Sequence, residues 1–233
     1  MTSQPRPGNE SLLRVLDKVL RGGFSPRAAG SANDGSVDAP VTKLIALGVM
    51  LGAIYGVCLG ANLVFRGSPA AWMQVVANAW KVPLLFVLTI VVTFPSLYVF
   101  TALQRLDLGF RSTLRLAVLA IVVHTTVAAS LGPVFAFFAA STTSYPFLLL
   151  LNVAFFAVGG LIGFSVLLRA APDAQARRVL AVWCLVYGIV GAQMAWLLRP
   201  FVGAPDLPFE LFRPREDNVL IGILRVLGDL FRR

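Results

Sequence analysis

The side chains that most often carry chemistry are scarce in this chain of 233 residues. It has one histidine, His124, and two cysteines, Cys58 and Cys184, and all three lie within long apolar runs. Nucleophilic catalysis needs a nucleophile within hydrogen-bond reach of a base, and no GxSxG-type turn presents one here. A metal site needs three or four ligands, which one His and two separated Cys do not supply. The sequence therefore predicts no catalytic residue, no metal site and no cofactor.

The positions of the acidic residues indicate which classes of membrane protein the sequence disfavours. All eleven Asp and Glu residues lie outside the long charge-free runs of the chain. Ion-coupled transporters place carboxylates at membrane depth, and metal-dependent or proteolytic membrane enzymes need carboxylates or ligand clusters there. The sequence disfavours these classes, and we expect a protein that is not an enzyme.

His124 and three other polar residues in the apolar runs are expected to have structural roles. We interpret His124 as a neutral buried side chain bonded to a carbonyl or to a Thr hydroxyl on a neighbouring helix, with a proton-relay or ligand role as the alternative. An unsatisfied amide in hydrocarbon costs several kcal/mol, so Asn62, Asn152 and Gln193 should each face another helix. Asn152 and Gln193 are the candidates for an interhelical polar contact, and a small polar cavity is the alternative.

Glycines recur at every fourth position in the first apolar run, at Gly48, Gly52, Gly56 and Gly60. Glycines on one helical face let another helix backbone approach closely. Two hypotheses follow: packing within the chain, or a homo-oligomeric interface that could surround a pore. Gly159 and Gly163 form a shorter version of the pattern, which favours a tightly packed bundle.

These residues must be positioned by membrane-spanning helices. Hydrophobic residues make up 58% of the chain and charged residues 13%, and residues 44–65, 82–104, 116–168 and 179–198 contain no Asp, Glu, Lys or Arg. About 20 apolar residues suffice to cross the ~30 Å of hydrocarbon in a bilayer. The turn sequence STTSYP at 141–146 divides the longest run into two. The sequence thus predicts five spans, at about 44–65, 82–104, 116–139, 147–168 and 179–198.

Residues 67–80 precede the second span and contain two Trp residues suited to the membrane interface. They either lie in the headgroup layer or lengthen the second span. Lys81 is placed at the entrance of this span, and prolines 83, 95 and 133 fall inside predicted helices.

The chain divides into three parts. Residues 1–42 contain an amphipathic helix over 10–21 and a flexible linker, residues 43–199 form the five-helix transmembrane domain, and residues 200–233 contain an extended Pro-rich segment and a second amphipathic helix near 217–231. We expect the N-terminal helix to lie on the membrane surface or to pack on the same protein. No short leader precedes the first span, which is therefore expected to remain in the mature protein.

The net charge of +9 comes mainly from arginines next to the apolar runs, where they suit lipid headgroups better than nucleic acid. With the N-terminus inside, the short loops carry six Lys and Arg residues inside and two outside. This asymmetry predicts a cytoplasmic N-terminus and an external C-terminus.

Three stretches resemble an uncharacterised family of bacterial integral membrane proteins: KVPLLFVLTIVVTFPSLYVF (81–100), LGFRSTLRLAVLA (108–120) and YGIVGAQMAWLLRPFVGAPDLPFELFR (187–213). This resemblance implies a location in the bacterial inner membrane. The five-span layout and segment 108–120 are also similar to the Yip-domain (Rab-interacting) family, whose members have a cytoplasmic N-terminus and five helices. The acidic and aromatic motifs of that family have no match in this chain, so its Rab-binding role is not carried over.

The sequence therefore predicts an all-α, polytopic membrane helix bundle in contact with the lipid bilayer. The function that we expect is that of a non-enzymatic membrane scaffold or organiser. The alternative is a small channel or transporter formed by homo-oligomerisation.

Overall fold

The computed structural model describes residues 14–17, 40–104, 110–169, 171, 173–203, 209–212 and 228, with the side chain of residue 112 excepted. Five long helices account for most of them: α1 (Val41–Phe65), α2 (Ala71–Leu103), α3 (Phe110–Ser141), α4 (Tyr145–Arg169) and α5 (Ala174–Leu198). The shortest of the five have 25 residues, which at 1.5 Å per residue is about 38 Å, enough to cross a bilayer. All five are long and apolar enough to span a membrane. The prediction of an all-α polytopic bundle is confirmed, and the outer faces of these helices imply contact with lipid.

Helix α1 occupies the centre of the arrangement. It makes extensive contacts with both α2 and α3, while α2 also packs against α5 and α3 against α4. The contact between α4 and α5 is much smaller. The main apolar cluster combines Tyr55 and Leu59 of α1, Val82 and Leu85 of α2, and Phe135 of α3.

Helix α2 begins earlier than the predicted second span. Residues 71–80 are helical, so they lengthen the span, which is the second of the two alternatives for this stretch. The boundary is set by Gly67, whose φ of 63° ends α1. The amide of Gly67 donates to the Val64 carbonyl and that of Ser68 to the Leu63 carbonyl, which is the Schellman pattern.

The 33 residues of α2 would extend about 50 Å at 1.5 Å per residue. This exceeds the hydrocarbon thickness, and it moves Lys81 from the helix start to the third turn. Pro83 and Pro95 lie within the continuous helix, as Pro133 does in α3.

The predicted turn after the third span is confirmed, because residues 142–144 connect α3 to α4. Helix α5 begins after Asp173, whose carboxylate accepts a hydrogen bond from the Ala176 amide at 2.7 Å. A carboxylate in this position satisfies one of the free amides at the helix start.

Residues 14–17 form one helical turn that packs on the bundle. Val15 is fully buried in an apolar cluster with Leu44 and Leu47 of α1 and Val122 of α3. The described turn therefore follows the second alternative for the N-terminal helix, packing on the same protein.

The other parts of the predicted terminal elements lie outside the described residues. This applies to the remainder of helix 10–21, to the linker except Pro40, and to helix 217–231 except residue 228.

Candidate functional site

Three polar side chains lie on one face of the first half of α2. Gln74, Asn78 and Lys81 are spaced four and three residues apart, which aligns them along the helix. Each has 2% or less of its surface exposed. Burying such groups without hydrogen-bond partners would be costly, so their partners determine what this face does.

The acceptors come from the chain that follows α5. We call residues 199–212 the post-α5 segment, of which 199–203 and 209–212 are described. Asn78 Nδ2 donates to the Phe201 carbonyl at 2.6 Å. Gln74 Nε2 donates to the Pro200 carbonyl at 3.2 Å, to the Phe201 carbonyl at 3.3 Å and to Asn78 Oδ1 at 3.0 Å. The two amides thereby replace the hydrogen bonds that water would give this irregular backbone.

Lys81 binds the same segment at two points. Its Nζ donates to the carbonyls of Pro200, at 3.4 Å, and of Leu211. The ammonium also lies 5.2 Å from the centre of the Phe212 ring, which in turn contacts Trp80 edge to face. Carbonyl dipoles and an aromatic face both favour a cation, so this environment stabilises the buried charge.

Helix α1 contributes a fourth side chain to this arrangement. Asn62 Nδ2 donates to the Gly203 carbonyl at 2.9 Å, and Arg66 Nε donates to Asn62 Oδ1 at 3.0 Å. Arg66 Nη2 also donates to the Thr142 carbonyl at 3.0 Å. These bonds join the end of α1, the α3–α4 connection and the post-α5 segment. We call Asn62, Gln74, Asn78 and Lys81 the polar clamp.

Apolar packing holds the segment at the same place. Phe201 and Val202 are buried in the main apolar cluster with Tyr55 and Leu59. A Cβ at Gly203 would lie 2.6 Å from Leu63 Cγ, so a larger residue does not fit there without movement of Leu63. The polar clamp therefore binds backbone whose side chains are themselves inserted into the bundle.

The four glycines of α1 fall into two pairs. A Cβ at Gly56 would overlap the Asn78 carbonyl, lying 2.6 Å from its carbon, and a Cβ at Gly60 would lie 2.6 Å from Val75 Cα. At Gly48 and Gly52 the nearest atoms would be at 3.6 and 3.5 Å, an ordinary contact distance. The close approach joins α1 to α2 of the same chain, beside the polar clamp, so an oligomer would need another surface.

Gly159 and Gly163 lie against α3 at His124. A Cβ at Gly159 would be 2.6 Å from His124 Cδ2, and one at Gly163 would be 2.7 Å from the Ala120 carbonyl oxygen. The imidazole also packs edge to face on Phe86 and Phe156, with ring centres 4.8 and 5.6 Å away. His124 thus fills the space that the α4 glycines leave.

The hydrogen bonding of His124 differs from the expectation. Its Nε2 is buried and has no hydrogen-bond partner among the described residues, whereas a carbonyl or Thr partner on a neighbouring helix was predicted. A cavity of about 10 Å³ between α3, α4 and α5 is lined by His124, Tyr187 and Trp183. The imidazole is therefore held by close packing against its aromatic and glycine neighbours and not by a hydrogen bond at Nε2.

Of the two candidates for an interhelical polar contact, Asn152 makes one and Gln193 does not. Asn152 Oδ1 accepts a hydrogen bond from the Tyr55 hydroxyl at 2.9 Å, which joins α4 to α1. Gln193 lies exposed on α5, so the expectation that it faces another helix was wrong, because its position falls on the outward face of α5. Another interhelical polar bond, from Trp183 Nε1 to the Thr93 carbonyl at 3.0 Å, joins α5 to α2.

The sequence patterns do not reveal the polar clamp as a unit. They predict Asn62 to be a buried amide and Lys81 to lie at a span entrance, and they give no role to Gln74 or Asn78. The available signal was their spacing of four and three residues, together with Asn62 in the preceding helix. Within the ranges that the structure describes, no group of three or more His, Cys, Asp and Glu residues could hold a metal ion.

Comparison of the chain with protein-family models, with curated proteins and with solved structures finds no match.

Proposed function

We propose that this membrane protein is a non-enzymatic scaffold that holds its two terminal segments at opposite ends of a helix bundle. The observation that carries the proposal is the polar clamp. Buried amides and an ammonium at membrane depth often line a solute or ion pathway. Here these groups bind backbone carbonyls of the protein's own post-α5 segment. Asn78 Nδ2 lies 2.6 Å from the Phe201 carbonyl oxygen, and Lys81 Nζ lies 3.4 Å from that of Pro200.

The N-terminal turn supports the same function. Val15 is fully buried beside the first turns of α1, while the post-α5 segment binds where α1 ends and α2 begins. The bundle therefore sets where the chain enters and leaves it. A scaffold needs such fixed attachment points if partners or membrane-binding helices are carried on the terminal regions.

A small channel or transporter is the alternative, and Lys81 is the observation that favours it. A buried cation near one end of a membrane span is typical of an anion pathway. Because the post-α5 segment binds the Lys81 side chain, this segment would act as the closed gate of such a pathway. This alternative also requires several copies, because five helices of one chain leave little room for a pore.

Chloride flux through proteoliposomes distinguishes the two functions. We expect vesicles containing the full-length protein to leak chloride at the rate of protein-free vesicles, with or without Lys81→Met. A protein-dependent leak that Lys81→Met abolishes would contradict the scaffold and support the anion pathway. Mass determination in lipid nanodiscs completes the test, because a pore requires an oligomer of the 25.0 kDa chain.

We further propose a cytoplasmic N-terminus in a bacterial inner membrane. The short loops on the proposed inner side carry more Lys and Arg residues than those on the outer side, which favours this orientation. The structure places Lys81 within α2, so only Arg66 remains in the connection between α1 and α2. A cysteine at the exposed position Thr143 should react with an impermeant maleimide in intact spheroplasts, and one at the exposed position Ala174 only after permeabilisation. Reaction of both from the same side would exclude this topology.

A further inference from the structure

A groove of about 420 Å³ lies between α2 and α5, at the bundle end opposite the polar clamp. Its walls include Phe100 and Leu103 from the last turn of α2 and Val179 and Val182 from the beginning of α5. Leu103 and Val182 have 72% and 55% of their surfaces exposed. These apolar walls face outward at the depth where α2 ends and α5 begins.

The outer rim of the groove is polar. It is formed by Gln104, Gln175 and Arg178. Gln175 Nε2 donates to Gln104 Oε1 at 2.9 Å and to the Gln104 carbonyl at 3.1 Å, which ties the two helices together at the rim. Arg178 is exposed, and its Nε donates to the Ala174 carbonyl at 3.4 Å.

The order of these residues along the helices matches the order of groups in a phospholipid. On α5, residues 175, 178, 179 and 182 share one face because they are three or four positions apart. Polarity therefore falls with depth, from Gln175 and Arg178 at the rim to Val182 about one turn further in. A headgroup at the rim would have its acyl chains along the apolar walls.

The positive charge at the rim favours an anionic headgroup. Among the residues that line the groove, Arg178 carries this charge. Arg169 and Arg177 are exposed at the same end of α4 and α5 but do not line the groove, and Asp173 is exposed there too. Asp173 caps α5 through the Ala176 amide. A guanidinium forms paired hydrogen bonds with phosphate, and anionic lipids concentrate basic segments at the cytoplasmic leaflet.

We propose that the α2–α5 groove binds one anionic phospholipid, with the lipid phosphate at Arg178 and an acyl chain along Leu103 and Val182. The site is independent of the polar clamp and of the scaffold function. It would fix the bundle in the leaflet that holds the α4–α5 connection.

Native mass spectrometry of the delipidated full-length protein tests this site. With equimolar phosphatidylglycerol and phosphatidylcholine of identical acyl chains, the protein should retain one phosphatidylglycerol in preference. Arg178→Gln should lower that preference about tenfold, the effect of losing a hydrogen bond between charged groups. Arg177→Gln removes the neighbouring exposed charge, which does not line the groove, and should leave the preference unchanged.

A second pair of variants tests the apolar walls. Val182→Trp should fill the groove and reduce bound phosphatidylglycerol, whereas Ile189→Trp, at an exposed α5 position away from the groove, should not. No preference in the unmodified protein, or equal loss in Arg178→Gln and Arg177→Gln, would show attraction to general surface charge and overturn the proposal. Unchanged lipid retention in Val182→Trp would overturn it as well.

Discussion

Gly56→Ala is expected to destabilise the bundle more than any other single methyl addition to the glycine face of α1. The new Cβ would overlap the Asn78 carbonyl and lie 3.0 Å from the Ala79 amide nitrogen, and both are backbone atoms of α2. Backbone cannot move away as a flexible side chain can, so α1 and α2 must separate. We expect the free energy of unfolding to fall by about 3 kcal/mol, near the upper end of the usual cost of overpacking.

The measurement is the apparent Tm in detergent, and the matched control is Gly188→Ala. A Cβ at Gly188 has no atom within 4 Å among the described residues, while both substitutions gain the same helix propensity of about 1 kcal/mol. Gly56→Ala should lower the Tm by about 10 °C. Gly188→Ala should leave it unchanged or raise it.

The glycine face should give a graded response. Gly52→Ala places its Cβ 3.5 Å from Pro83 and should be tolerated, whereas Gly60→Ala, at 2.6 Å from Val75 Cα, should destabilise the bundle, but less than Gly56→Ala does. Equal stability of the Gly52 and Gly56 variants would mean that α1 and α2 are not in backbone contact at Asn78.

Asn78→Leu is the second substitution for which we expect a large effect. Leucine has a similar size but cannot donate to the Phe201 carbonyl or accept the 3.0 Å hydrogen bond from Gln74. Asn78→Leu removes these two buried hydrogen bonds, each of which contributes about 0.5–1.5 kcal/mol, while Gln74 keeps its bonds to the Pro200 and Phe201 carbonyls. The expected loss of stability is therefore about 1–3 kcal/mol, measured by the same thermal assay.

Gln193→Leu controls for the replacement of an amide by leucine in a membrane helix. Gln193 is exposed on α5, so its removal should not lower the Tm. If Asn78→Leu were as stable as Gln193→Leu, the hydrogen bonds of Asn78 would not contribute to holding the post-α5 segment.

The sequence was sufficient for the architecture because hydrocarbon imposes a simple constraint. Each span needs about 20 apolar residues, and backbone groups in lipid must be satisfied within the helix. Charge-free runs and one STTSYP turn therefore located five helices. The start of α2 was ambiguous because Gln74 and Asn78 lower the hydropathy of a stretch that is helical, and only their burial shows why they are tolerated.

The polar clamp depends on contacts that local patterns do not contain. Asn78 and Phe201 are 123 positions apart, and the acceptor is a backbone carbonyl, which every residue has. The α1 glycines illustrate the same limit. Their spacing indicates close packing, but it does not distinguish Gly52 from Gly56, because that difference is set by where the backbone of α2 passes.

The polar clamp supports the scaffold proposal. Polar groups that are costly to bury, including a lysine ammonium, all bind one short stretch of backbone and fix its position. A fixed position of this backbone is useful when the position of the chain that follows it matters. The lipid groove at the opposite end would orient the same bundle within its leaflet.

Maleimide labelling of Val202→Cys in lipid nanodiscs tests the central claim most directly, in a background where Cys58 and Cys184 are replaced by Ala. Val202 has 3% of its surface exposed when the post-α5 segment is held against the bundle. We expect labelling at least about tenfold slower than for the same protein unfolded in SDS, as for other buried sites that react only after local opening. Adding Asn78→Leu should remove most of this protection, while Gln193→Leu should preserve it. Labelling of Val202→Cys at the SDS rate with Asn78 intact would contradict the account, because the post-α5 segment would then not be held by the polar clamp.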